Sequence, residues 1–271
     1  MVTAHHGNEV KHVRAAERAR RSNLPQVRVG TSGWHYSSWW GPFYPEKTKK
    51  ADALCYYATK FDAAELNAPF YRTPTEKAVE SWRESVPADF RFAWKASKFI
   101  THWRRLIVNE NSMNLLEDRA GRLGDRLGPI LFQLPPRMKA NRERLAAFLD
   151  ALPKHRRYSF EFRHESWYEP AIFDLMSDHD AALCISDHVD APAPRVATAD
   201  WVYVRLHGAN GRYHGNYSPQ TLGGWARSMR EWRGEGREVW CFFDNDVGAA
   251  APEDARRLKA MLERPEEGAV A

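Results

Sequence analysis

The segment Trp201-Val202-Tyr203-Val204-Arg205-Leu206-His207 decides the fold of this chain. Aliphatic side chains occupy its even positions, whereas Tyr203, Arg205 and His207 occupy odd ones. Because successive side chains of a β-strand point to opposite faces, the segment predicts a strand with one apolar face and one face that ends in charged groups. This pattern is typical of a barrel strand that packs its apolar face on helices and opens its other face onto a catalytic mouth.

Seven other short runs share this character. They are rich in β-branched or aromatic residues, and most are bounded by Gly, Pro, Asp or Asn. In chain order the eight runs are Val27–Gly30, Ala63–Leu66, Phe90–Trp94, Pro129–Leu134, Tyr158–Phe162, Ala182–Ser186, Trp201–Leu206 and Val239–Phe243. Helical patterns lie between them, at Thr75–Val86, Asn141–Leu152, Ser166–Asp178, Ser218–Arg233 and Glu253–Leu262. Alternating strands and helices predict parallel strands joined by crossovers.

We therefore predict an α/β protein built as a single TIM-type (β/α)8 barrel. The stretch from Asp187 to Asp200 is too short and too rich in proline for an ordinary helix, so the sixth crossover is predicted to be degenerate. A doubly wound open sheet is the alternative, and it is weakened because no GxGxxG follows the first strand. The predicted organisation is a basic, polar extension over residues 1–26, the barrel over residues 27–264 and a short tail over residues 265–271.

The composition excludes several protein classes. Hydrophobic residues make up 43% and charged residues 28% of the chain, which is a globular mixture. The net charge is +5, of which residues 1–25 contribute +3, so that segment is a basic extension on a nearly neutral domain. No apolar run approaches the roughly 18 residues of a membrane helix, and the N-terminus lacks the apolar region of a secretory signal. Three cysteines without a CxxC pair predict a reduced, cytoplasmic protein.

The same alternation places polar side chains at the ends of the other strands, where barrels of this kind have their active sites. In strand order these are Glu65 and Asn67, Lys95, Gln133, Glu161 and Arg163, Asp187, Arg205 and His207, and Asp244. Buried charges need partners, so two interpretations follow. The first and favoured one is a ligand pocket. The second is an ion-pair network that fills the barrel, in which the three cations neutralise Glu65, Glu161 and Asp244.

Two loops add candidate ligand contacts. The loop from Thr31 to Pro45 is rich in aromatic residues, of which Trp34 and Tyr36 lie nearest the strand end and are predicted to contact substrate. The remaining rings are expected equally to contact substrate or to form an apolar cluster of their own. The glycine-rich loop from His207 to Tyr217 is placed where barrels often bind phosphate, which makes Gly211 and Arg212 candidates for an anion site.

Taken together, several segments resemble one known family. They are Val29–Trp34, Gly41–Pro45, Glu65–Asn67, Phe70–Arg72, Leu131–Pro136, Glu161–His164, Val204–Gly208 and Asn245–Asp246. In these segments the chain resembles the YecE-like family, catalogued as domain of unknown function 72, from about Val27 to Leu262. The resemblance implies a TIM-barrel-like fold and supplies no established substrate. Ala68 departs from it, at a place where a small hydroxyl residue is more usual.

The favoured function is an enzyme, of hydrolase or isomerase type, that acts on a small polar, anionic substrate at the C-terminal mouth of the barrel. Glu65 and Glu161 form the acid–base pair, with Glu161 held ionised by Arg163 and Glu65 keeping its proton in apolar surroundings. His207 is a second proton-transfer candidate, and Lys95 stabilises negative charge or acts as a nucleophile. The predicted substrate-binding residues are Trp34, Tyr36, Asn67, Gln133, Arg163, Arg205, Gly211, Arg212 and Asp244.

Three alternatives remain at this point. A divalent-metal enzyme would use oxygen and nitrogen ligands from Glu65, Glu161, Asp187, His207, Asp244 or Asp246. The three cations on the same faces compete for those carboxylates, so we predict no metal ligands and no cofactor. A nucleotide or nucleic-acid partner is suggested by the basic extension and the aromatic loop, but the low charge of the domain does not favour it. A ligand-binding barrel without catalytic activity would share every feature of the pocket. No membrane partner is predicted.

Overall fold

A computed structural model describes residues 24–264 of the chain. Eight strands form a parallel sheet in the order β1-β8-β7-β6-β5-β4-β3-β2. They are β1 (Val27–Thr31), β2 (Ala63–Leu66), β3 (Arg91–Lys95), β4 (Leu127–Gln133), β5 (Tyr158–Glu161), β6 (Ala182–Ser186), β7 (Trp201–Leu206) and β8 (Glu238–Phe243). All eight predicted runs are strands, and the predicted TIM-type barrel is confirmed.

The ring closes between β1 and β2 through few backbone hydrogen bonds. The N–H of Gly33, just past β1, donates to the carbonyl oxygen of Glu65 over 2.8 Å. Lower in the seam, the Tyr57 hydroxyl accepts from the N–H of Thr31 at 2.8 Å and donates to the carbonyl oxygen of Ala63 at 3.1 Å. A phenol group therefore replaces a direct ladder bond, and it satisfies two buried backbone groups that would otherwise lack partners.

Gly30 allows β1 and β2 to approach each other at this seam. A Cβ atom at position 30 would lie 2.0 Å from the carbonyl oxygen of Ala63, which no side chain tolerates. The glycine is required here by the close approach of the neighbouring backbone.

The described region contains eight α-helices, of which seven lie between strands and the last follows β8. They are α1 (Ala53–Ala58), α2 (Ala68–Tyr71), α3 (Glu76–Glu84), α4 (Glu110–Gly121), α5 (Arg142–Ala151), α6 (Pro170–Asp178), α7 (Pro219–Gly234) and α8 (Ala250–Glu263). Four begin at a side-chain cap that accepts a backbone N–H of the first turn, namely Thr75, Asn109, Asn141 and Ser218. No helix lies between Ser186 and Trp201, which confirms the degenerate sixth crossover.

The barrel interior and the layer between strands and helices form separate cores. The interior holds small residues on β2, β3 and β6 and large rings on β7 and β8, and its members are Ala63, Ala93, Leu131, Ala182, Cys184, Trp201, Tyr203, Trp240 and Phe242. On β2, β3, β4, β7 and β8 these residues share the alternation of the polar groups predicted to face inward, which confirms the predicted inward face of those strands. On β6 the interior residues are Ala182 and Cys184, whereas the predicted Asp187 follows the alternation of the outward Ile185, so the prediction is wrong there. Large rings on some strands fill the space left by alanines on others.

The predicted extension and tail fall mainly on residues 1–23 and 265–271, which lie outside the described residues. Within residues 24–264, no helix combines the length and hydropathy needed to cross a membrane. The thiols of Cys55, Cys184 and Cys241 are free, and the last two are buried.

Candidate active site

Arg205 is the centre of the charged cluster at the C-terminal mouth of the barrel. Its side chain is fully buried, and its guanidinium group donates to three carboxylates on three other strands. Two nitrogens bind Glu65, at 2.8 and 3.0 Å, while Glu161 accepts at 2.7 Å and Asp244 at 2.8 Å. A planar guanidinium group suits this arrangement because its donors diverge in one plane.

Glu65 lies in polar surroundings, which corrects the expectation of an apolar environment. Besides the two contacts with Arg205, its carboxylate accepts a hydrogen bond from the Tyr203 hydroxyl at 2.7 Å and another from the Ser32 hydroxyl. The residue is 0% exposed. Glu65 therefore holds Arg205 in place and does not reach a ligand from this position, so its predicted role as a proton-bearing catalytic acid does not fit the structure.

Glu161 is held ionised, as the sequence predicts. Burial raises the pKa of its carboxyl, but the positive charges of Arg163 and Arg205 more than reverse that effect and leave the pKa well below its ordinary value. Arg163 donates to one carboxylate oxygen through Nε, and Arg205 donates to the other. The residue is 0% exposed, so Glu161 also acts on the guanidinium groups rather than on a ligand.

His207 lies beneath the mouth and is fully buried. Its Nε2 accepts from Arg163 at 3.2 Å and from Arg205 at 3.3 Å, so the ring proton is placed on Nδ1, which lies 3.3 Å from Asp187. The same aspartate accepts the backbone N–H of His207 at 2.7 Å. Nε2 is also 3.6 Å from the Asp244 carboxylate, which links the imidazole to the edge of the mouth.

Lys95 differs from the two arginines because it has no carboxylate partner. Within residues 24–264 its ammonium group makes no hydrogen bond and no ion pair, and its closest described contact is the ring of Phe70, with Nζ 4.6 Å from the ring centroid. The residue is 6% exposed. Burial, followed by the charge of Arg205, lowers the pKa of Lys95 from 10.5 to about 8.

Asp244 reaches the water-accessible surface of the cluster. One of its oxygens binds Arg205, and the side chain is 12% exposed. Arg163 approaches the same surface, and its Nη1 donates to the hydroxyl of Tyr213 at 3.2 Å. Gln133 is half-buried at the end of β4. The groups that a ligand can touch at the mouth are therefore Lys95, Gln133, Asp244, the edge of Arg163 and the Tyr213 hydroxyl.

Three predicted substrate-binding residues line a separate cavity beside the mouth. Trp34, Tyr36 and Asn67 border a space of about 490 Å³ between the first loop and α3. Trp34 packs edge-on against Trp82, with 6.0 Å between ring centroids, and the Tyr36 hydroxyl donates to the backbone oxygen of Ser32 at 2.7 Å. Asn67 links this cavity to the cluster, because its amide donates to the Ser32 hydroxyl at 3.1 Å.

The glycine-rich loop after β7 differs from the predicted anion site. The N–H of Gly208 donates to the Tyr217 hydroxyl at 2.7 Å, and that of Gly211 donates to the Gly208 oxygen at 2.8 Å. Both amides are therefore used within the loop and are not presented to a ligand. Arg212 is exposed and lies 3.7 Å from Asp190, away from the charged cluster.

Residues that the sequence did not single out complete the cluster. Ser32 directly follows β1 and binds both Glu65 and Arg205, and Tyr203 precedes Arg205 by one inward position on β7. The alternation that identifies Arg205 also points to both residues, once it is applied to β1 and to the inward position before Arg205. Tyr213 gives no such signal, since it lies in a loop with a positive φ of 69°.

Within residues 24–264 no group of three or more His, Cys, Asp or Glu side chains is arranged to hold a metal ion. Of the carboxylates that the metal alternative needs, those of Glu65, Glu161 and Asp244 bind Arg205, and that of Asp187 binds His207 and Tyr217.

The loops around the mouth divide by charge. The loops after β2, β3 and β4 (residues 67–75, 96–109 and 134–141) contain no acidic residue and six cations, namely Arg72, Lys98, Arg104, Arg105, Arg137 and Lys139. On the opposite side, the loops after β6, β7 and β8 (residues 187–200, 207–218 and 244–249) contain five aspartates and two cations, namely Asp187, Asp190, Asp200, Asp244, Asp246, Arg195 and Arg212. The mouth therefore has a cationic half and an acidic half.

With this geometry in hand, comparison with known proteins identifies the family. A family model described as "Protein of unknown function DUF72" matches residues 28–270. The chain belongs to the DUF72 family. This confirms the resemblance to the YecE-like family that the sequence motifs indicate.

Relatives of this DUF72 chain carry the family designation UPF0759. The UPF0759 protein YunF of Bacillus subtilis is 26% identical over 274 residues, which cover 88% of this chain and 95% of YunF. The UPF0759 protein YecE of Escherichia coli K12 is 32% identical over 143 residues, which cover 52% of this chain and 50% of YecE.

Solved structures of DUF72 proteins share the barrel. A DUF72 family protein from Thermotoga maritima superposes with a TM-score of 0.81 at 28% identity, covering 88% of this chain and all of that one. A DUF72 family protein from Enterococcus faecalis has a TM-score of 0.73 at 20% identity, covering 89% of this chain and 96% of that one, and supports the fold alone.

Proposed function

We propose that this DUF72 protein is an enzyme that carries out proton-transfer chemistry, of isomerase or hydrolase type, on a small anionic substrate at the barrel mouth. One observation carries the proposal: of the three inward cations, Arg163 and Arg205 are paired with carboxylates, whereas Lys95 is not. A buried cation without a partner is unfavourable unless a ligand supplies the compensating charge.

The surrounding charges support an anionic substrate. The six cations of the loops after β2, β3 and β4 have no acidic neighbour within those loops, so they raise the local concentration of anions near Lys95. Arg163 adds a second donor, fixed in position by Glu161. A carboxylate or phosphate group is the chemical class that these donors bind best.

The two ionisable groups that reach the ligand take complementary roles. Asp244 accepts a proton from the substrate, since it is the one of the three carboxylates bound to Arg205 that is partly exposed. Lys95 stabilises the negative charge that develops. Glu65 and Glu161 fix the guanidinium groups, and His207 accepts a hydrogen bond from each of Arg163 and Arg205. The proposal also places the protein in a reducing, cytoplasmic compartment, with three free thiols in support.

The test is a panel of small carboxylates, phosphate esters and neutral analogues, measured by ligand-observed NMR for binding and by product formation for turnover. We expect anionic members to bind, and Lys95→Met to weaken their binding by about tenfold or more, because a charge-assisted contact is lost. Lys60→Met is the matched control, since Lys60 also lies over a ring, that of Tyr56, but is exposed and precedes β2.

Asp244→Asn separates binding from chemistry. It should leave binding within about threefold while turnover of the same compound falls by at least about a hundredfold. A preference for neutral compounds, or unchanged turnover in Asp244→Asn, would overturn the proposal. Repeating the turnover assay with EDTA and with added Mg²⁺ tests the metal alternative.

A further inference from the structure

The chemistry of the Lys95 side chain extends beyond charge stabilisation. Its amine stands on the last residue of β3, at the end of the barrel where the reactive groups of this fold lie. An ammonium group that is buried without a hydrogen-bond acceptor is energetically unfavourable, and lysines in such positions commonly serve as nucleophiles.

The amine is held in a defined direction. The ring of Phe70, on α2, lies beneath Nζ at 4.6 Å from the ring centroid, and Ala93 precedes Lys95 on the same inward face. The ring of His102 packs against Phe70 with 5.2 Å between centroids and supports this wall from outside. One side of the amine is therefore closed by an aromatic surface.

The protonation of this amine suits nucleophilic attack. Arg205, which ion pairs hold in the cluster, repels a second positive charge, and burial acts in the same direction. With a pKa of about 8, roughly a tenth of the amine is neutral at pH 7, which is several hundred times the fraction for an ordinary lysine.

The other groups at the mouth match what imine formation requires. A carbonyl compound needs an anchor that presents its carbon to the amine, and Arg163 with the Tyr213 hydroxyl supplies donors for an anionic group. It also needs a group that exchanges protons with the tetrahedral adduct, and the partly exposed carboxylate of Asp244, whose charge acts on Lys95, is the candidate for this role.

We propose that Lys95 forms an imine with a carbonyl compound that bears a carboxylate or phosphate group, an inference that rests on the anionic site proposed above. The neutral amine attacks the carbonyl carbon, a C–N bond forms and the π electron pair moves to oxygen. That oxygen leaves as water with the two amine hydrogens, which gives the C=N bond. Protonation of the imine nitrogen makes it an electron acceptor for breaking an adjacent C–H bond, with Asp244 as the proton acceptor.

The experiment traps the imine by reduction. The full chain is incubated separately with pyruvate, glyoxylate and neutral acetone in the presence of cyanoborohydride, and modified peptides are identified by mass spectrometry. We expect one adduct, on the peptide that contains Lys95, with occupancy at least about tenfold above that of Lys60. Inorganic phosphate should compete with pyruvate and reduce the labelling.

Two variants keep the result interpretable. Lys95→Arg retains the positive charge and the fold, checked by circular dichroism, and should lose the adduct entirely. Lys60→Met should leave labelling of Lys95 unchanged, because Lys60 is exposed and lies on the loop before β2.

The outcomes distinguish this inference from the proposed function. If Lys95 is labelled no more than Lys60, the imine is overturned. The anionic site still stands in that case if NMR detects binding of pyruvate or phosphate and Lys95→Met weakens that binding. Strong labelling by acetone that phosphate does not reduce supports the imine and overturns the anionic site. No binding and no labelling of Lys95 overturn both.

Discussion

Replacing Arg205 by methionine tests how far the barrel mouth depends on a single cation. The guanidinium group is fully buried and donates to Glu65, Glu161 and Asp244 at 2.7 to 3.0 Å. Methionine keeps an unbranched apolar stem and removes only the charge and the donors.

The three carboxylates are affected to different degrees. Glu161 retains Arg163, and Asp244 is partly exposed to water. Glu65, at 0% exposure, keeps only the neutral donors Tyr203 and Ser32. Removing one partner of a buried ion pair typically costs about 3–5 kcal/mol. We therefore expect the free energy of unfolding to fall by at least about 3 kcal/mol, a large part of the roughly 5–15 kcal/mol of an ordinary domain.

Urea unfolding at pH 7, followed by circular dichroism and tryptophan fluorescence, measures this loss. Adding Glu65→Gln to the Arg205→Met variant removes the uncompensated charge and should restore about 1–3 kcal/mol, whereas Glu65→Gln alone should be destabilising. Arg212→Met, at an exposed arginine, is the control and should change stability by no more than about 0.5 kcal/mol. A loss below about 1 kcal/mol in Arg205→Met, or the same sign for Glu65→Gln in both backgrounds, would refute the reasoning.

Three further predictions concern the seam and the unpaired lysine. Tyr57→Phe leaves two backbone groups of the seam without their partner and should lower the free energy of unfolding, measured in urea, by about 1–3 kcal/mol. Tyr56→Phe is the control and should have little effect. Equal losses in the two variants would contradict the role of the seam hydroxyl. Gly30→Ala should unfold the barrel or destabilise it by more than about 3 kcal/mol, while Gly223→Ala, in a helix with open space around it, should stabilise by about 0.5–1 kcal/mol. Lys95→Met should be about 1–3 kcal/mol more stable than the parent at pH 7, because the depressed pKa means that folding disfavours the ammonium form. That advantage should shrink as pH rises from about 8 to 10.5, the interval in which the unfolded chain binds the proton and the folded one does not; a difference independent of pH would contradict it.

The strands could be predicted because each carries its own signal. The run around Arg205 alternates aliphatic side chains with aromatic or charged ones, whereas β6 is a short, continuously buried run. The helix Glu110–Gly121 was missed, since only Leu116 and Ala120 of its residues are buried and the apolar face is too narrow to stand out. Closure through Tyr57 could not be inferred either, because it depends on one hydroxyl that meets the backbone of Ala63 and also that of Thr31, which is 26 residues away in sequence.

The candidate site was predictable in membership but not in pairing. Alternation along each strand brings Glu65, Glu161 and Arg205 to the same end of the barrel, and the structure places them there. Which groups touch depends on strand stagger and side-chain length, which a single sequence does not report. The environment of Glu65 was therefore misjudged, because Tyr203 and Ser32 reach it from two other strands.

The division of the mouth into a cationic and an acidic half has a consequence for how molecules arrive. A compound that carries opposite charges at its two ends experiences a torque before contact, so it docks already turned, with its negative end toward β2, β3 and β4. Added salt screens this electrostatic guidance beyond about 10 Å at 0.1 M. Salt should therefore lower the association rate of such a compound and leave the lifetime of the bound complex nearly unchanged.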